Sequence, residues 1–555
     1  MRVQRGRSAA RVAVVVMAVG LLAGAAGCTT NKKADAGGTF VIAGAGDPKN
    51  FDPIFNDDGE SFRVIQQLYD TLIQNKPGTA DVEPGLAQSW ERDITGKVWT
   101  FHLRTAVKFA DGTPFNAAAV CANFDRWYQM KGAAAQGNMS YYSDLFEGFA
   151  HNEVEDLGDP LYSRCAATDD ATAVLTLNRY KGAFPAAFTL ASFSISSPTA
   201  LARYDANKVT QVGDAFEFND YANLHPTGTG AFTFGGWDKS TDEITLLRNP
   251  DFWGVKAKVE KVVVKVITDE TTRKQELRAG TVDAIDFPAP ADRKSLADAG
   301  FHVLARPAFN VLYLGINQKA DPKLADLRVR QAIAYAINRQ QLASTLGPAG
   351  TQVAKEFMPN TLSGYADDVV EYSYDPAKAR DLLARAGAQN LALDFYYPSG
   401  ISRPYMPSPA DIFQAIAKDL EAVGIHVTGV PRPWNGGYQS DIMRLGKHGL
   451  HLYGWTGDYN DPGNFVGTFF GRPKLDFGDE AMTDMFTQIA AASSEVDDAK
   501  KKALWQQVNR DVMAKYLPAV PIWHSPPAIV TSKKISGLVP CPGTDERFNT
   551  VEKHA

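Results

Sequence analysis

The chain reads as an α/β or α+β protein with mixed sheets, built in more than one domain. Three observations predict this. Apolar residues alternate with period 2 in some segments and recur at helical spacing in others, and the two patterns interleave along the whole length. No unit of 20–50 residues repeats, which excludes a solenoid or a propeller. The chain has 555 residues, whereas one domain usually takes about 100–200.

The elements follow in order. Thr39-Phe40-Val41-Ile42-Ala43 predicts a first strand, ended by the turn Gly44-Ala45-Gly46-Asp47-Pro48. Phe62, Ile65, Leu68, Tyr69 and Leu72 form a helical stripe over 62–73. Segment 97–104 alternates, with Trp99, Phe101 and Leu103 on one face. Segments 174–177, 243–247 and 261–267 are further strands. A helix over 271–279 stops at Gly280. Segment 326–341 predicts one helix, with Leu327, Val329, Ile333, Ala336 and Ile337 inward. Asp375 and Pro376 open another as N-cap and first residue, and Gly387 closes it. A helix over 411–423 ends at Gly424, a strand over 425–430 follows, and 482–517 is largely helical.

The composition is that of an ordinary globular protein, so disorder, collagen and coiled coil are excluded. The net charge of −6 argues against a nucleic-acid binder, which carries a basic excess. Four cysteines are too few for a disulfide scaffold or a multi-cysteine metal cluster.

Residues 1–27 read as an export signal: Arg2, Arg5, Arg7 and Arg11, then an apolar run from Val12 to Leu22 that is too short to span a bilayer. Ala25-Ala26-Gly27-Cys28 resembles the lipobox of bacterial lipoproteins, with Ala25 where Leu is more usual. It implies lipidation of Cys28 as the new N-terminus; the alternative is simple cleavage after Ala23-Gly24-Ala25. Residues 28–37 read as a flexible tether. Removing the leader lowers the charge to about −10, and export permits disulfides. Cys121 and Cys165 fall in one stretch of chain and are the plausible pair; Cys541 is then an odd thiol. The other reading leaves all three reduced.

A search for chemistry finds no phosphate-binding loop, dinucleotide motif, zinc-protease helix or nucleophile elbow. Thr227-Gly228-Thr229-Gly230 reads as a turn, because a strand pattern follows. His448 and His451 sit in loop and strand, where their spacing is not expected to converge, so no metal and no cofactor are assigned. Asp57-Asp58 and Asp497-Asp498 read as solvated. No nucleophile with an oriented base can be nominated, so no catalytic residue is assigned.

Several segments together resemble one family, the extracellular solute-binding proteins of family 5: the dipeptide-, oligopeptide- and nickel-binding lipoproteins of bacterial importers. The first is Glu83-Pro84-Gly85-Leu86-Ala87-Gln88-Ser89-Trp90, continuing through Trp99-Thr100-Phe101-His102-Leu103-Arg104 to Phe109-Ala110-Asp111-Gly112-Thr113-Pro114-Phe115. Thr105-Ala106 departs from the usual Gly, and Asn116-Ala117-Ala118-Ala119 lacks the usual acidic pair; both read as surface changes. The others are Pro226-Thr227-Gly228-Thr229-Gly230, Arg248-Asn249-Pro250-Asp251-Phe252-Trp253-Gly254, and the segment from Asp326 to Arg339. Matches run from about 39 to 550.

Arg403-Pro404-Tyr405 and Trp455-Thr456-Gly457-Asp458 look like the dipeptide-binding branch. The resemblance implies that Arg403 pairs with a peptide's C-terminal carboxylate and Asp458 with its α-ammonium. Trp455 and Gly457 would line the cleft, with Gly46 and Asp47 on the opposite wall; the branch tends to have a neutral residue where Asp47 stands. Physically, a dipeptide carries opposite charges about 6–7 Å apart. A guanidinium grips a carboxylate bidentately, and gripping both ends fixes length without reading sequence.

The implied fold is the two-lobe periplasmic-binding-protein architecture (type II, cluster C), with a hinge and an inserted domain. Lobe I is expected at 38–80, 225–306 and 520–555, the insert at 81–224 and lobe II at 307–519. The crossings are expected at 306–311 and 517–521. The implied function is a non-enzymatic, monomeric, lipid-anchored receptor on the outer face of the cytoplasmic membrane. It would deliver short peptides to the transmembrane subunits of an ABC permease. The same fold serves oligopeptides, glutathione, haem and nickel chelates. A secreted peptidase and a structural lipoprotein are the readings from other classes.

Overall fold

The computed structural model describes residues 38–554 apart from 156, 214, 435 and 436. The proposed leader, Cys28 and the tether lie outside the described residues. Among those described, no helix is long and apolar enough to cross a membrane.

Three sheets organise the chain. The first strand, Thr39–Gly44, is the centre of a seven-stranded sheet, parallel to Lys261–Val266 on one side and Ala284–Asp286 on the other. Thr39 is level with Lys261 and Gly44 with Val266. Parallel pairing at the centre needs helical crossovers, which the intervening helices supply. A six-stranded sheet runs in the order Gln352–Val353, Ala519–His524, Asn310–Ile316, Leu450–Thr456, Leu391–Ser399, Ile425–Pro433. Its two central strands are almost wholly buried and apolar, as expected where both faces are covered. A four-stranded antiparallel sheet, in the order Ala87–Arg92, Val98–Leu103, Thr172–Leu177, Tyr162–Asp169, belongs to the insert. Cys121 and Cys165 are disulfide-bonded, with Cα atoms 5.1 Å apart, tying the helix Ala117–Tyr128 to that sheet.

The chain passes between the two large sheets twice. It leaves the first after His302–Ala305 and enters the second at Asn310–Ile316. It returns between Ala519–His524 and Ala528–Thr531. The return therefore falls at 525–527, not at the expected 517–521. Leu517, held at a φ of 41°, and Pro518 look like a break, but Val520 to Trp523 continue as a buried strand beside Asn310–Ile316. Residues 520–524 therefore belong with the second sheet. The start of the insert is also less sharp than expected, because Ile54, Phe55, Leu72 and Ile73 pack into its aromatic core.

Other boundaries shift for local reasons. The helix expected over 62–73 is Gly59–Leu68: Asp58 caps it, accepting from the Glu60 and Ser61 amides, and Tyr69 is already extended. The helix expected over 326–341 is two, Leu327–Ala336 and Arg339–Leu346, split where Asn338 caps the second. Asp497 likewise caps Asp498–Asp511, and Asp57 pairs with Lys49, so these acids have structural partners. Ala117 and Ala119 are buried and Asn116 caps their helix, so that segment is no surface change. Ala106 is exposed, but at a φ of 62° it occupies a conformation that the usual Gly adopts without strain.

Candidate functional site

The hinge is built on buried charge. Arg306, at the first crossing, grips Glu546 through Nε at 2.6 Å and Nη2 at 3.1 Å, and Asp286 through Nη1 at 2.6 Å. Arg63 bonds the other oxygen of Asp286. All four groups are buried, and each charge has a partner, as buried ions require. The two guanidinium groups hold the Asp286 carboxyl down at about 2 against the cost of its burial. The crossings also bond each other. The Arg306 amide donates to the Pro527 carbonyl at 2.8 Å, and the Asn310 side chain bonds both the carbonyl (2.7 Å) and the amide (3.0 Å) of Ser525.

The return crossing carries the loop of Arg403. Ser525 Oγ donates to the Pro404 carbonyl at 2.8 Å, and Trp523 Nε1 to the Tyr405 carbonyl at 2.8 Å. Reciprocal backbone bonds between Arg403 and Met406 close the loop. The Arg403 guanidinium lies over the Trp434 ring, 4.4 Å from its centroid, and Trp434 stacks on Tyr453. Among the described residues no carboxylate pairs with Arg403, and its Nε has no protein partner.

Tyr453 and Trp455 share a face of the strand Leu450–Thr456, and Asp458 follows its end. Asp458 Oδ1 accepts from Tyr141 Oη at 2.6 Å and Oδ2 from Asn464 Nδ2 at 2.9 Å. Asn464 Oδ1 in turn accepts from the Asp458 amide at 2.8 Å and from Trp455 Nε1 at 3.3 Å. Burial pushes the Asp458 carboxyl up from 3.8 to about 6, opposed by those two hydrogen bonds. Gly457 must be glycine: a Cβ there would come within 2.3 Å of Phe309 and 2.6 Å of Phe465. Its amide bonds the Phe309 carbonyl at 2.8 Å, which ties this turn to the first crossing.

The structure thus places Arg403, Trp455, Gly457 and Asp458 on the second sheet and its flanking loops. Gly46 and Asp47 follow the central strand of the first. Among the described residues no hydrogen bond or ion pair links them to Arg403 or Asp458. Gly46 packs on Glu60, and burial lowers the Lys239 pKa, opposed by the charge of exposed Asp47. Tyr141 is the residue the sequence reading missed. It comes from the helix Ser140–Phe146 of the insert, more than 300 positions from Asp458, and no local pattern announces it. Asn464 was within reach, lying in the same segment as Asp458. The His448 and His451 rings do meet, with centroids 4.5 Å apart, against expectation. Both are buried, and among the described residues no group of three or more His, Cys, Asp or Glu could hold a metal.

Two sheet-built lobes on a double crossing, with an insert reaching over an acid of the second lobe, define a two-lobe binding protein. The comparisons place it more narrowly. Residues 81–476 match the model of the bacterial extracellular solute-binding proteins, family 5. The chain is 30% identical over 526 residues to the dipeptide-binding protein of Escherichia coli K12, covering 92% of this chain and 94% of that one. It is 28% identical over 530 residues to Heme-binding protein A of Haemophilus influenzae, covering 92% of each. Among solved structures, the periplasmic binding protein DppA of Helicobacter pylori in complex with the peptide STSA superposes with a TM-score of 0.73 at 26% identity, covering 94% of this chain and 98% of that one. The chain belongs to family 5 of the bacterial extracellular solute-binding proteins, which bind transported solutes and are not enzymes.

Proposed function

We propose that this protein captures short peptides, dipeptides first among them, between its lobes and hands them to the transmembrane subunits of an ABC permease. The observation that carries this reading is Arg403: a guanidinium without a carboxylate, held over an aromatic wall in the same lobe as the half-buried carboxylate of Asp458. An unpaired cation near the interior is costly, and a ligand carboxylate offsets the cost with two parallel hydrogen bonds. Asp458 receives the α-ammonium, Trp455 and Gly457 shape the floor, and Gly46 and Asp47 face them from the first lobe. The lobes are residues 38–80, 225–306 and 525–554, and residues 307–524, with 81–224 inserted. The protein acts as a monomer and is anchored to the outer face of the membrane through Cys28.

The names of the dipeptide-binding relative and of the peptide complex support the ligand class. The similarity to a heme-binding protein supports a second reading, in which the ligand lacks the α-ammonium that Asp458 would pair with. Calorimetry with a dipeptide panel decides between them. Arg403→Ala and Asp458→Ala should each weaken dipeptide binding; unchanged affinity in both variants sinks the assignment. The mass of the mature N-terminus tests the lipid on Cys28.

A further inference from the structure

A cavity of about 500 Å³ lies where the first lobe meets the insert. No residue of the second lobe lines it, so it is not the interlobe cleft. Several motif segments gather there without a part in the cleft: Glu83-Pro84, Arg104, and Phe252-Trp253-Gly254. Its size and its mixture of apolar and charged walls are those of small-molecule sites.

The charged groups around it differ in how fully they are used. Asp70 is fully engaged: it accepts from Thr229 Oγ1 at 2.8 Å, from Trp253 Nε1 at 2.9 Å and from Arg547 Nη1 at 3.4 Å. Glu83 accepts from Gln74 at 2.9 Å, and Asp545 from Asn75 at 3.0 Å. Burial favours the neutral form of Asp545. Arg104 is the exception. Its Nε donates to the Gly85 carbonyl at 2.7 Å, and its guanidinium stacks on Trp253, 4.5 Å from the ring centroid. Among the described residues its two terminal nitrogens have no protein partner, and no carboxylate pairs with it. The stacking fixes the plane of the fork and leaves its outer edge unused. That is the pre-organised geometry with which an arginine grips a carboxylate. Arg547, on the same cavity, spends only Nη1.

We propose that this cavity is a second binding site, for a small organic carboxylate. Its anionic head sits on the outer edge of Arg104, and its apolar body lies against Phe252, Val255 and Val539. The site is independent of the peptide cleft and does not rest on the reading of Arg403 and Asp458.

The test uses the whole chain, with benzoate and 4-methylpentanoate as probes. Each is titrated by calorimetry against its neutral amide. The carboxylates should bind one to one, and the amides at least tenfold more weakly. Arg104→Met should lose carboxylate binding, Arg104→Lys should retain part of it, and Arg403→Ala should leave it unchanged. No binding at 10 mM, equal affinity for acid and amide, or a loss caused by Arg403→Ala instead of Arg104→Met overturns the proposal. The acid–amide comparison is made on the unmodified chain, so it stands even where a variant folds poorly.

Discussion

Lowering the pH from 7 to 5 should weaken dipeptide binding about tenfold. The reasoning starts at Asp458, whose carboxyl is raised by burial to about 6. A carboxyl titrating there is about nine-tenths ionised at pH 7 and one-tenth at pH 5. An α-ammonium pairs with the ionised form only, so the competent fraction falls about tenfold, or about 1.4 kcal/mol. The sign for the empty protein is opposite. A raised carboxyl costs stability when ionised, so the folded protein without peptide gains stability as pH falls from 7 through 6 towards 4. The assay is calorimetric titration with an uncharged-side-chain dipeptide at half-unit steps from pH 7 to 5. Asp458→Asn, which does not titrate, should bind more weakly at pH 7 and show a flat profile. A flat profile in the unmodified protein refutes the reasoning, and so does an Asp458→Asn profile that still falls.

Other outcomes follow from the geometry. Arg403→Ala should cost about 2–5 kcal/mol of dipeptide affinity, measured by the same titration, because it strips one partner from a charge pair. Gly457→Ala should lower stability by about 1–3 kcal/mol in a denaturant melt, since its Cβ has no room beside Phe309 and Phe465. Replacing both Cys121 and Cys165 with Ala should cost about 3–4 kcal/mol, seen as a lower melting temperature, because the bond closes a span of 44 residues. Tyr141→Phe removes the hydrogen bond from the insert to Asp458, and small-angle scattering should show a larger radius of gyration without ligand.

Much of this was legible in the sequence, for physical reasons that differ from element to element. The strand Thr39–Gly44, the capped helix Pro376–Arg385 and the stop at Gly280 each follow from local pattern and turn chemistry. Arg403 and Asp458 were legible only through the motifs around them. What stayed hidden was long-range. The Arg306, Asp286, Glu546 and Arg63 cluster joins four distant segments, and nothing near any of the four residues marks its partners. The split at Asn338 was also hidden, because its amide is claimed by Asp419, 81 positions away. The return crossing implied at 517–521 was misplaced for a long-range reason as well: Ala519 to Trp523 pair with Asn310–Ile316.

The attachment of the Arg403 loop to the return crossing bears on time as well as on affinity. Ser525 bonds Asn310 across the hinge and Pro404 in the loop. The loop proposed to hold the ligand is therefore hung from the crossing between the two large sheets. On the proposed assignment, a change at Ser525 reaches the grip on the ligand and the ease of opening through one residue. On the proposed function, residence time, the interval for which a bound solute stays available for transport, is thus written into the hinge as much as into the cleft.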